Sequence, residues 1–151
     1  MLLSGARRPP RLFSSRSPLG EGRATHLAPQ STLRGRRILI VEDDCITAMD
    51  LAETLSAAGA QVVRPAGTIG TALDLLRRQP QPDIALLDVE VEGAHVFDVA
   101  DELVKLEVPI VFTTGYEHSE IPARFRTARH CEKPIGIAAI ARALSDELAR
   151  R

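Results

Sequence analysis

Four short apolar runs, each closed by a charged or hydroxyl residue, constrain this chain more than any other feature. Arg37-Ile38-Leu39-Ile40-Val41 ends at Glu42-Asp43-Asp44, and Asp83-Ile84-Ala85-Leu86-Leu87 ends at Asp88. Pro109-Ile110-Val111-Phe112-Thr113 ends at Thr114-Gly115, and a weaker run ends at Lys133-Pro134. Unbroken runs of β-branched residues and Leu read as strands buried on both faces of a parallel sheet. In an open parallel sheet the carboxyl ends of the strands share one edge, and ligands bind there. Carboxylates, a hydroxyl and an ammonium on one edge suit the holding of a divalent cation and a phosphoryl group.

Between the runs the pattern is helical. A helix over 45–58 is capped by Asp44 and stopped by Gly59, with Ile46, Met49, Ala52 and Leu55 as its expected apolar stripe. A short strand over Gln61–Arg64 follows. Gly67-Thr68 opens a second helix with Ile69, Ala72, Leu73 and Leu76 at helical spacing, ended by Pro80 and Pro82. After the strand over 84–87, a glycine loop at Gly93 leads to a third helix whose Val96, Val99, Ala100 and Leu103 face inward. A short fourth helix is expected with Ser119 as its cap and Pro122 in its first turn. A strand over Arg129–Glu132 precedes a last helix with Ile137, Ile140, Leu144 and Leu148 in line. The order βαβαβαβαβα predicts an α/β fold, a (βα)₅ doubly wound parallel sheet of flavodoxin-like strand order 2-1-3-4-5. That order makes Glu42/Asp43 and Asp88 neighbours.

The 151 residues suffice for one domain. Only five are aromatic, four Phe and one Tyr, so the core must come from Leu, Ile, Val and Ala. Charge divides the chain. Residues 1–37 carry eight Arg and one Glu, and the remainder carries eleven Lys and Arg against nineteen Asp and Glu. An acidic folded part argues against nucleic acid as its partner. Residues 1–35 are rich in Arg, Ser, Pro and Gly without apolar periodicity, which predicts a disordered basic extension ahead of a domain over 36–151. A basic tail, a transit-like segment and a start site placed too early all fit that composition. Cys45 and Cys131 match neither a zinc site nor a disulfide framework and read as reduced thiols of a cytoplasmic protein. No apolar run reaches the roughly 18–20 residues a membrane span needs.

Each edge residue alone has an ordinary explanation as a cap, turn or loop. Their joint appearance, in order and each at a different strand end, favours chemistry. As phosphoryl acceptor, Asp88 attacks phosphorus in line, with Thr114 and Lys133 each taking a phosphoryl oxygen.

Ile-Leu-Ile-Val-Glu-Asp-Asp (38–44), Asp-Ile-Ala-Leu-Leu-Asp-Val (83–89), Val-Phe-Thr-Thr-Gly (111–115) and Lys133-Pro134 together resemble the receiver domains of two-component response regulators. The resemblance spans 36–151. It implies that Asp88 is the phosphoacceptor and that Asp43 binds Mg²⁺ directly. Glu42 contributes to the metal, and the backbone carbonyl of Glu90 is a further ligand. Thr114 is the switch hydroxyl and Lys133 the family's lysine. Phe112-Thr113-Thr114-Gly115-Tyr116, with Ile121-Pro122-Ala123-Arg124-Phe125, is similar to single-domain receivers with a Phe-x-Thr-Gly-Tyr motif. His130 stands where many receivers carry a rotating Tyr or Phe, and Ile135 where Phe often follows Lys-Pro.

The resemblance implies a phosphoacceptor rather than an enzyme beyond self-phosphorylation and self-dephosphorylation. The implied partners are a sensor histidine kinase or a histidine phosphotransfer protein. A downstream protein or a second copy would be met through helix 4, strand 5 and helix 5, where Arg124, Arg126 and Arg129 give a basic character. The competing readings are a phosphorylation-independent receiver-like binding module and an Asp-nucleophile phosphohydrolase.

Overall fold

The computed structural model describes residues 32–115 and 121–151. The Ser119 cap, Tyr116 and most of the upstream segment lie outside the described residues. Five parallel strands form one sheet: β1 (Arg37–Val41), β2 (Gln61–Val62), β3 (Ile84–Asp88), β4 (Ile110–Thr114) and β5 (Arg129–Glu132). Their order is β2-β1-β3-β4-β5, the flavodoxin-like order expected. The helices are α1 (Cys45–Ala57), α2 (Ile69–Arg78), α3 (Phe97–Lys105) and α4 (Ile137–Ala149). Strand β2 is shorter than the expected Gln61–Arg64; beyond it the chain touches the sheet only as a bridge from Ala66 to Val41.

Side chains alternate across each strand. Ile38, Ile40, Ile84, Leu86 and Val111 face α1 and α4, where they meet Leu51, Leu55, Ile140 and Leu144. Leu39, Val41, Ala85, Leu87 and Phe112 face the other way, onto Val99, Ala100 and Leu103 of α3 and Ala72 of α2. Asp44 caps α1 by accepting the Thr47 N–H at 2.7 Å, and Thr68 caps α2 by accepting that of Thr71 at 3.0 Å.

Four expectations need correction. The buried stripe of α1 is Ala48, Leu51 and Leu55, while Ile46 and Met49 are 73% and 70% exposed. The sheet selects the stripe that puts Leu51 and Leu55 against Ile38 and Ile40. The fourth helix, in its described part, is a single 3₁₀ turn, Ala123–Phe125, with Pro122 as its cap. Packing also begins upstream of Arg36. Leu33 is fully buried with Leu55 and Ala60, and the Gly35 N–H donates to the Gly59 carbonyl at 2.8 Å. Between β3 and α3, where a glycine loop was expected, a small hairpin pairs Glu90–Val91 with Ala94–His95.

Candidate functional site

Strand register builds the site. Val41 lies beside Leu87, so the next residues, Glu42 and Asp88, emerge side by side at the carboxyl edge. Thr113 lies beside Asp88, and Thr114 beside Glu132, so Lys133 leaves β5 next to the end of β4. The Lys133 N–H donates to the Thr114 carbonyl at 2.7 Å, tying the two strand ends together. The Lys133-Pro134 peptide is cis.

Carboxylate oxygens of Glu42, Asp43 and Asp88 lie within 4.8 Å of one another. Glu42, Asp88 and Thr114 are buried, whereas Asp43 is exposed. Lys133 Nζ donates to Asp88 Oδ2 at 2.6 Å and stands 3.5 Å from Glu42 Oε2. The Asp44 N–H donates to Glu42 Oε1 at 3.0 Å. On the hairpin side, the Glu90 N–H is 3.4 Å from Asp88 Oδ1, and the Glu92 N–H donates to Asp43 Oδ2 at 2.8 Å.

Burial pushes the Glu42 carboxyl up, and the Asp88 charge adds to this; together they outweigh the Asp44 N–H and Lys133, which pull it down. Burial pulls the Lys133 ammonium down, but its hydrogen bond to Asp88 and the charges of Asp88 and Glu42 prevail, so it is held above the ordinary lysine value. Glu42 and Asp88 therefore share one ammonium, while Asp43 beside them accepts a backbone N–H. The cluster is an all-oxygen donor set with unbalanced negative charge, which fits a hard divalent cation. The sequence-predicted residues Glu42, Asp43, Asp88, Thr114 and Lys133 thus meet at one edge, with Glu90 at the base of the hairpin beside them.

Sequence reasoning missed the Glu92 N–H. No signature pair announced it: both residues of the tip, Glu92 and Gly93, have positive φ, +50° and +75°, as a two-residue type I′ hairpin loop requires, but only the glycine is a residue such a loop favours. A groove of about 450 Å³ opens beside the cluster between α1 and the loop after β5, lined by Thr47, Leu51, Pro134, Ile135 and Ile140 among others.

The arginines after β4 are less available than the sequence suggested. Arg124 makes two hydrogen bonds to Asp101 of α3, at 2.9 and 3.1 Å, and lies over the Phe125 ring. Arg129 stands 3.5 Å from Asp146 of α4. Acids on neighbouring helices therefore offset much of the expected basic character. His130, at the position of the usual switch aromatic, stacks on Phe112 with ring centroids 5.5 Å apart. The column of rings continues through Phe125 and Phe97 to His95 of the hairpin.

A doubly wound five-stranded sheet carrying an acidic triad and a lysine at its carboxyl edge is the architecture of a receiver. The chain belongs to the response regulator receiver domain family, which it matches over residues 38–144. It is 34% identical over 94 residues to the transcriptional regulatory protein PdtaR of Mycobacterium tuberculosis, covering 62% of this chain and 45% of that protein. It is 33% identical over 103 residues to the phyllosphere-induced regulator PhyR of Methylorubrum extorquens, covering 67% of this chain and 37% of that one. The chain thus spans less than half the length of these curated relatives. Among solved structures, SdrG from Sphingomonas melonis Fr1 superposes with a TM-score of 0.64 at 32% identity, covering 78% of this chain and 98% of that one. PhyR from Brucella abortus superposes with a TM-score of 0.69 at 25% identity, covering 81% and 51%. No helix among the described residues is long and apolar enough to cross a membrane.

Proposed function

We propose that Asp88 accepts a phosphoryl group from the phosphohistidine of a sensor kinase or phosphotransfer protein. The observation that carries this reading is the convergence of Glu42, Asp43 and Asp88 within 4.8 Å, with Lys133 on Asp88 at 2.6 Å. An Asp88 oxygen attacks phosphorus in line, the phosphorus–nitrogen bond of the donor histidine breaks, and the imidazole leaves with the electron pair. Asp88 becomes an acyl phosphate, and water later cleaves it to restore the carboxylate. Lys133 moves from the carboxylate to a phosphoryl oxygen, and the Thr114 hydroxyl donates to another.

Mg²⁺ fits as the cation of the site, held by Asp43, Glu42 and Asp88 with the Glu90 carbonyl as a further ligand. When bound, it neutralises charge on nucleophile and phosphoryl oxygens. The Ile46 and Met49 side chains, exposed on α1, and the groove beside the cluster suit a helical protein donor rather than a small substrate. The domain is a phosphoacceptor with no turnover beyond loading and losing its own phosphoryl group. Its output is a protein contact through the 3₁₀ turn, β5 and α4, made with a downstream partner or a second copy, or else the draining of phosphate from a shared donor. A cytoplasmic location follows from such a donor.

Acetyl phosphate in Mg²⁺ tests the chemistry. Wild type takes up one labile phosphoryl group, and Asp88→Asn takes none. Labelling of the variant equal to wild type would overturn the assignment. Multiple turnover would indicate a hydrolase, and no labelling of wild type a binding module. Beryllofluoride in Mg²⁺ tests the output: hydrogen exchange should change across residues 114–132, and changes confined to the Asp43/Asp88 edge favour the phosphate-drain reading.

A further inference from the structure

The hairpin tip adopts a backbone conformation that its sequence does not favour. Gly93, at φ +75°, takes the left-handed region without penalty, but Glu92, at φ +50°, carries a Cβ that clashes there. Such conformations persist where surrounding structure imposes them, and they cluster at functional sites. Here the imposing structure is visible. Val91 is buried, Glu90 pairs with His95 and Val91 with Ala94, and the Val96 N–H closes the base on the Val89 carbonyl at 2.9 Å. The result is that the Glu92 N–H points at Asp43 Oδ2, 2.8 Å away and 49 residues distant in sequence.

The three carboxylates differ in what fixes them. Glu42 and Asp88 are buried, and packing and Lys133 hold them. Asp43 is exposed, so packing does not choose its rotamer. A hydrogen bond from outside the cluster supplies that choice, as outer partners do for metal ligands generally. We propose that Glu92, through its backbone N–H, is the positioning residue for Asp43: the hairpin that follows Asp88 holds the exposed carboxylate in the orientation in which it meets a divalent cation. The proposal rests on the cluster being a cation site.

Calorimetric titration of the full chain with Mg²⁺ tests it, with thermal melting as a control on folding. Glu92→Pro removes the N–H and, with its φ fixed at about −65°, also releases the left-handed tip that aims it, so affinity should fall about tenfold. Glu92→Gly keeps the N–H and relieves the φ clash, so affinity should stay within about twofold of wild type if the amide is the group that acts. Wild-type affinity in Glu92→Pro would overturn the proposal, as would equal losses in both variants, which would assign the effect to the carboxylate side chain. If wild type itself binds no Mg²⁺, the cation-site reading fails, and the proposal with it. Where Glu92→Pro does not fold, Gly93→Val replaces it with the same outcomes. The Cβ it adds meets nothing within 4 Å, so at that atom it acts through the turn's φ and not through a clash.

Discussion

Lys133 and Asp88 are joined by a 2.6 Å contact between residues 45 positions apart, and the ammonium that makes it also faces Glu42. One cation thus holds together the ends of β1, β3 and β5. A lysine so placed is a structural counter-charge as well as the proposed ligand for phosphate, and removing it should have two separable effects.

Lys133→Ala should destabilise the metal-free domain by about 1–2 kcal/mol, the loss of a charge-assisted hydrogen bond reduced by solvent screening of a half-exposed ammonium. Denaturant unfolding in chelator reads this. Labelling of Asp88 by acetyl phosphate should slow by about 10²-fold, because the group that neutralises developing charge is gone. Unchanged labelling would confine Lys133 to a structural role.

Glu42 sets a pH dependence. Its folded carboxyl holds a proton more tightly than the unfolded value of 4.5 allows, so in the window just above pH 4.5 the native state binds more protons than the unfolded state. Stability of the metal-free domain should therefore contain a component that falls as pH rises through that window. The difference in unfolding free energy between wild type and Glu42→Gln, measured across pH in chelator, isolates it. A difference that rises with pH would reverse the sign and refute the burial argument.

Leu33 anchors the chain ahead of β1. Leu33→Ala should cost about 2–5 kcal/mol, the usual range for truncating a fully buried leucine. Urea unfolding measures it. A cost below about 0.5 kcal/mol, typical of surface positions, would mean the segment does not pack.

Ile46 and Met49 separate folding from docking. Ile46→Glu and Met49→Glu should leave stability within about 0.5 kcal/mol, since both side chains are exposed. Labelling by acetyl phosphate should be unchanged, while transfer from a protein phosphodonor slows. Equal rates from the protein donor would remove α1 from the docking surface.

The strands and the acidic edge were legible in the sequence because both-face burial writes an unbroken apolar run, and because a strand end is where such a run stops. Even Arg-His-Cys-Glu, a poor strand by composition, forms β5 over Arg129–Glu132, since pairing with β4 supplies what propensity lacks. The register of α1 was not legible. Ile46-Met49-Ala52-Leu55 and Ala48-Leu51-Leu55 are adjacent stripes of one helix, and only the position of the sheet chooses between them. Leu33 was hidden by the polar composition around it. The Arg124–Asp101 and Glu92–Asp43 contacts join distant segments, and no local pattern announces a pairing of that kind.

The column of rings from His95 to His130 has a practical consequence. Every Phe and His ring among the described residues lies in it, and the chain has no Trp. Among the described residues, ring-current shifts of methyl groups should therefore originate along a single seam, running from the hairpin beside the carboxylates to β5 at the far edge of the sheet. The molecule carries its own spectroscopic ruler across the path proposed for the signal, with no label to attach.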